Sequence, residues 1–405
     1  MALAVVAGEV GLRVVGWSKP HLYRPDPQRG WALAPGARGL YTDEGRGWVE
    51  VNRFGFRGPA PRVGKPEGTF RIVVLGDSQT EALQVDFEDT FGEVLERRLA
   101  ACAELPGGAR SVEVLNFGVS GYGTAQALLT LRHAAAAFDP DLVLLAVYTG
   151  NDVRNNVEAI ERDPLRPYFT LGDDGRLALD GSFRDEPGFR RRASWLGRAA
   201  YGVLDGSRLA QVAKAVWAAA RDRRAAAEAE ARAGGPAAAE VGLDNDVYRE
   251  PSDPAWQQAW AVTEALILAL DREAAAAGAD FALATLSNGI QVHPDAATRR
   301  SFAARLGVPD LTYPDRRLAA FARRHGIPAL PLVFPLARLA EERGLYLHGF
   351  AEPPPDAAGD LSRWNQGHWN PRGHHAAGTL LADWLCRQAL PPNRRPTAPT
   401  PPAPP

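Results

Sequence analysis

The stretch Arg71-Ile72-Val73-Val74-Leu75-Gly76-Asp77-Ser78 decides the fold. It opens on an apolar, β-branched run, the signature of a strand buried on both faces. Gly-Asp-Ser then turns the chain, and residues 90–101 read as a helix. The unit repeats downstream. Val112-Glu113-Val114-Leu115-Asn116 is a second strand before a helix over residues 124–137, and Asp141-Leu142-Val143-Leu144-Leu145-Ala146-Val147 is a third. Phe281-Ala282-Leu283-Ala284-Thr285-Leu286 and Ile327-Pro328-Ala329-Leu330-Pro331-Leu332 complete the set, and the prolines place the last strand at a sheet edge. Apolar strands alternating with helices predict an α/β fold: a doubly wound, flavodoxin-like parallel sheet of five strands.

Residues 71–390 are read as the main domain. Residues 1–70, rich in Gly, Pro and aromatics, form a lead-in packed on it, with a short strand at Trp48-Val49-Glu50-Val51. A large helical insertion at about 155–275 separates the third and fourth strands, far beyond ordinary loop length. It opens on a hairpin that turns through Gly172-Asp173-Asp174-Gly175, continues as a helix over residues 194–233, and ends in a helix begun by Asp253-Pro254. The Pro-rich residues 391–405 read as a disordered tail.

The chain has 405 residues and a formal net charge of -2, which leaves no electrostatic footprint for nucleic acid. Its cysteines, Cys102 and Cys386, have no zinc-ligand spacing. They fall near the ends of the first and last helices, which share a face of such a sheet. A bridge between them is open, although two separate buried thiols are the commoner arrangement. No apolar stretch reaches the roughly 20 residues of a membrane helix. Gly8-Glu9-Val10-Gly11-Leu12-Arg13 reads as the trailing end of an anchor. The expectation is an extracytoplasmic, membrane-attached protein with apolar residues upstream; a start at Met1 would instead predict a cytoplasmic one.

Polar residues fall at equivalent places along this pattern. Gly76-Asp77-Ser78 follows the first strand, Asn116-Phe117-Gly118-Val119-Ser120-Gly121 the second and Gly150-Asn151-Asp152 the third, while His368-Trp369-Asn370-Pro371 precedes the last helix. The carboxyl ends of parallel strands share one edge, so these segments converge on one cleft. Each alone is ordinary turn or cap composition. The glycines match neither GxGxxG nor Walker A spacing, and His368, His374 and His375 have no acidic or cysteine ligand at a familiar metal spacing.

Together, in this order, the four blocks resemble the SGNH/GDSL family of serine hydrolases, over roughly residues 70–155 and 280–388. The resemblance implies the SGNH fold and an enzyme acting on ester bonds. It further implies Ser78 as nucleophile, His368 as base, and Gly121 and Asn151 in the oxyanion hole. Such chemistry needs neither metal nor organic cofactor. The substrates it implies are acetyl or short-chain acyl esters of a small molecule, a glycan or a lipid. An O-acyltransferase on the same site and a catalytically weak carbohydrate-binding or assembly protein remain open alternatives.

One departure stands out. The family places an aspartate two or three residues before the histidine, where this chain has Gln366 and Asn365. The expectation is therefore a slow Ser78–His368 dyad, its ring held by Asn365, Gln366 or a backbone carbonyl. Asp360 is the competing acid.

Overall fold

A computed structural model describes residues 2–387 except 20, 43, 103–104, 106–107, 218–219, 221–242 and 350–364. The chain enters through a helix, α1 (Ala2–Val14), and two antiparallel hairpins. The first pairs β1 (Tyr23–Asp26) with β2 (Gly30–Leu33), and the second pairs β3 (Arg38–Tyr41) with β4 (Gly47–Glu50). Their apolar sides do not face water. Leu33, Val49 and Val51 bury against Leu83, Val119 and Tyr122 of the segments that follow the first two sheet strands.

The central sheet comprises β5 (Thr69–Leu75), β6 (Ser111–Asn116), β7 (Leu142–Tyr148), β10 (Asp280–Leu286) and β11 (Ala329–Pro331). All five run parallel in the spatial order β6-β5-β7-β10-β11, the doubly wound order expected from the strand pattern. Every residue of β5 and β7 is buried, as continuous apolar strands covered on both faces require. The Pro-containing β11 lies at the edge, where a missing N–H leaves no ladder bond unmade.

Helices cover both faces. The short α2 (Ser78–Glu81) follows β5 directly, and α3 (Phe91–Leu99) follows it. On the other face lie α4 (Thr124–His133) and α6 (Pro254–Ala276), which share a core with β5 and β7. The final helix, α9 (Pro371–Arg387), packs beside α3; Gly378 permits the approach, because a Cβ there would meet the carbonyl of Phe91. Cys102, just past α3, forms a disulfide with Cys386 in the last turn of α9, at a Cα–Cα distance of 6.2 Å. The commoner expectation of two separate thiols is overturned, because both helices run back from the same sheet edge and end side by side.

Between β7 and β10 the chain forms a hairpin, β8 (Tyr168–Leu171) with β9 (Leu177–Asp180), and then α5 (Trp195–Gly206). The helix expected over residues 194–233 is not continuous. Ser207 adopts extended backbone, and helix resumes at residue 208. Glu9 of α1 holds the break: its carboxylate accepts hydrogen bonds from the Ser207 hydroxyl and from the N–H groups of Arg208 and Leu209, capping the new helix. Those bonds hold the Glu9 carboxyl down at about 2. Residues 221–233 of that expectation, the 391–405 tail and Asp360 lie outside the described residues. No described helix is long and apolar enough to cross a membrane.

Candidate active site

The carboxyl edge of the sheet brings the first polar turn to the last. Asp77 caps α2 by accepting a hydrogen bond from the Gln79 N–H at 2.9 Å, which places Ser78 at the helix start. The Ser78 hydroxyl lies 2.8 Å from Nε2 of His368, 290 positions away in sequence. His368 is held from several directions. The next residue, Trp369, donates its N–H to Oε1 of Gln79 at 3.0 Å and its indole N–H to Ser287 at 3.0 Å. The preceding carbonyl, of Gly367, accepts from Nδ1 of His348 at 2.7 Å. Asn370 then caps α9 by accepting from the N–H groups of Arg372 and Gly373.

The partner of the other ring nitrogen comes from outside the expected blocks. Glu44, in the β3–β4 turn, places Oε2 2.5 Å from Nδ1 of His368, and its Oε1 accepts the His368 backbone N–H. This corrects the expectation of an amide-held dyad. Asn365 is committed elsewhere: its side chain accepts from the N–H groups of Leu347 and His348 and donates to the carbonyl of Gly289 at 2.6 Å. Gln366 is not what faces Nδ1 either, since the carboxylate occupies that position. The Gly preceding the histidine fits this arrangement. Gly367 has φ +85°, and a Cβ there would run into the Glu44 carboxylate. In sequence Glu44 reads as one more acid in an exposed turn, and no spacing marks it.

The second and third blocks flank Ser78. Asn116 donates to the Thr80 carbonyl at 2.6 Å and accepts from Gly118 N–H at 2.9 Å, which ties the loop after β6 to α2. Glu81 fastens the same loop by accepting from the Ser120 N–H at 2.9 Å and from its hydroxyl. Gly121 takes up φ +77°, with its carbonyl bound by Nη2 of Arg166 at 2.8 Å. Asn151 sits in the turn after β7. Among the described residues its side-chain oxygen is buried without a hydrogen-bond partner. The structure thus brings Ser78 and His368 into contact and sets Gly121 and Asn151 on neighbouring turns of the same edge.

The surroundings are dry enough to shift several acids. Burial pushes Glu81 up to about 7 and Asp77 up to about 6. Burial, reinforced by the negative charge of Asp77, carries Asp152 well above the carboxylate range. Burial lowers His348 to about 4 and carries His374 well below the ordinary imidazole value, so both rings are neutral structural partners near neutral pH. His374 accepts the Phe91 N–H through Nδ1, whereas His375 is exposed. No three His, Cys, Asp or Glu side chains among the described residues form a group able to hold a metal ion. A hydroxyl, an imidazole and a carboxylate in a row can draw a proton off the hydroxyl and stabilise the resulting imidazolium.

Residues 72–169 match the family model described as GDSL-like lipase/acylhydrolase. This stretch carries a GDSL-like acylhydrolase domain match, about a quarter of the chain. The match supports an ester-hydrolysing enzyme. The matched stretch contains Ser78, Gly121 and Asn151 but neither Glu44 nor His368. No curated protein matches the chain. Solved structures similar to this chain include an acetyl xylan esterase, AlAXEase, at 13% identity and a TM-score of 0.36, covering 78% of this chain and 98% of that one. They also include Axe2, an acetylxylan esterase from Geobacillus stearothermophilus, at 11% identity and a TM-score of 0.36, covering 80% and 96%. A third, LAE5, is an α/β hydrolase from the metagenome of Lake Arreo, Spain, at 14% identity and a TM-score of 0.34, covering 78% and 95%.

Proposed function

We propose that this GDSL hydrolase cleaves acyl esters through an acyl-enzyme formed on Ser78, with His368 as general base and Glu44 as the acid that orients and stabilises it. The observation that carries the reading is the unbroken chain of short contacts, Ser78 Oγ to His368 Nε2 at 2.8 Å and His368 Nδ1 to Glu44 Oε2 at 2.5 Å. A serine hydroxyl attacks a carbonyl only once a positioned base takes its proton. The imidazolium so formed then protonates the leaving alkoxide, and water repeats the sequence to release the acid. The backbone N–H groups of Ser78 and Gly121 and the side-chain amide of Asn151 are the donors assigned to the oxyanion. For Asn151 the donor is the amide nitrogen; its oxygen is buried without a hydrogen-bond partner among the described residues.

The test is covalent labelling with a fluorophosphonate, followed by turnover of acetyl and short-chain nitrophenyl esters. Wild-type protein should label once and turn over, and Ser78→Ala should do neither while melting at the wild-type temperature. Retained turnover in Ser78→Ala would reject the assignment.

A further inference from the structure

A cavity of about 560 Å³ lies where the N-terminal hairpins meet the insertion. One wall belongs to the candidate site. Ser120, which precedes Gly121, lines it, and so does Trp31, whose indole N–H donates to the Ser120 carbonyl at 3.0 Å. A Cβ on Gly121 would stand 3.2 Å from the Trp31 ring, so this tryptophan covers the turn from the cavity side. Tyr23, also in the lining, donates its hydroxyl to Glu81, the acid that holds Ser120. Tyr41 lines it from the end of β3, whose following turn carries Glu44 to His368.

The opposite wall has a different character. Its lining includes Lys19, Arg24, Arg192 and Lys214, against a single carboxylate, Asp163. His21, also in the lining, pairs with Asp205 at 2.8 Å, and the same carboxylate acts on Lys214. Lys214 is half-buried. Burial lowers its pKa and Lys19 adds to this, against the opposing charge of Asp205. Between the two walls the surface is mainly apolar, with Leu40, Leu83, Leu165 and Phe189 contributing.

We infer that this cavity is the specificity pocket of the enzyme and takes one arm of the ester, an apolar arm ending in an anionic group held by Lys214. The inference rests on the proposed role of Ser78, which puts the reacting carbonyl at the Ser120–Gly121 wall. An apolar channel with cations at its far end discriminates by chain and by charge together. A neutral arm of the same length leaves the cationic excess of the lining, four Lys and Arg side chains against Asp163, without a ligand anion to offset it.

Binding to the full-length Ser78→Ala protein, measured by calorimetry, tests this without turnover. Monomethyl suberate carries its carboxylate on the acyl side, and 6-acetoxyhexanoate carries it on the alcohol side. Dimethyl suberate and hexyl acetate are their neutral counterparts. At least one anionic ester should bind about tenfold tighter than its neutral counterpart, and which one does so locates the arm. Lys214→Met should erase that ratio, while Leu40→Trp, which fills the channel, should weaken anionic and neutral esters alike. Equal binding of anionic and neutral esters, no binding of any, or a ratio that survives Lys214→Met would overturn the inference. Failure of the Ser78 assignment would show separately, as absent fluorophosphonate labelling of the wild type.

Discussion

Glu44 and His368 stand 324 positions apart in sequence and meet at 2.5 Å, with the carboxylate on the ring nitrogen that faces away from Ser78. The acid missing from its usual place beside the histidine is supplied by a hairpin turn at the other end of the chain. An amide could orient the ring, but only a carboxylate offsets the charge of an imidazolium.

Glu44→Gln should therefore lower kcat on a short-chain ester by about 10³–10⁴-fold, with the protein still folded. A circular dichroism melt alongside single-turnover acylation separates this from unfolding. Wild-type kcat in the variant would show that the dyad suffices.

Asn365→Asp, which restores a carboxylate at the family's usual position, should not accelerate the enzyme. It replaces the donor to the Gly289 carbonyl with a second acceptor inside a buried network. A loss on the order of 1–3 kcal/mol is expected, read as a lower midpoint in urea. A rise in kcat would mean that Glu44 does not already fill the role.

Asn151→Ala should lower kcat by about 10²–10³-fold with KM little changed, since an oxyanion donor acts mainly in the transition state. A change confined to KM would assign Asn151 to substrate binding.

Three buried acids should give the stability profile a downward component of slope as pH rises from about 4 to about 7, opposed by the buried neutral His348 and His374. Glu81 and Asp315 sit at about 7 and Asp77 at about 6 in the folded protein, each raised by burial from an ordinary carboxylate value. A raised acid binds its proton more tightly folded than unfolded, so its contribution is complete below the unfolded pKa and is lost as pH climbs through the folded one. Glu81→Gln should flatten this slope, as measured by melting temperature from pH 4 to pH 8. An unchanged slope would show that Glu81 does not titrate in that window.

Reduction of the Cys102–Cys386 bridge, or its removal by Cys102→Ser with Cys386→Ser, should destabilise the enzyme by about 2–5 kcal/mol, because the bridge closes most of the chain into one loop. The bridge lies at the end of α3 and α9 away from Ser78 and His368, so kcat at 25 °C should hold. Identical melting of oxidised and reduced protein would refute the stabilisation.

The sheet was legible in the sequence. Runs such as Ile72-Val73-Val74-Leu75 and Leu142–Tyr148 have one stable environment, a parallel sheet covered on both faces, and the carboxyl ends of such strands must share an edge. That edge gathers the turns that carry Ser78, Gly121 and Asn151, while the place of His368 was implied by the family resemblance of the four blocks. Asp253-Pro254 likewise announced the start of α6 through local capping chemistry. The break at Ser207 has a local cap, since its hydroxyl accepts the Ala210 N–H, but the carboxylate that also binds this helix start belongs to Glu9, far upstream.

Glu44 was hidden from such local reading. A catalytic carboxylate needs only to reach Nδ1, and any turn that tertiary packing delivers there will serve. Local sequence records hydrophobic period, caps and turns, which act over a few residues. It does not record which loop crosses the mouth of the cleft. That was decided when Leu33, Val49 and Val51 buried themselves against Leu83, Val119 and Tyr122, docking the β3–β4 hairpin over the sheet edge. The same packing created the cavity beside Ser120 and brought Lys19 and Lys214 to one wall. The sequence by itself determined the sheet through short-range patterning, and its four blocks implied the serine–histidine pair through their family resemblance. Only the tertiary structure chose the carboxylate that meets His368 and the bridge between Cys102 and Cys386, because both depend on contacts between segments whose local sequences carry no mark of each other.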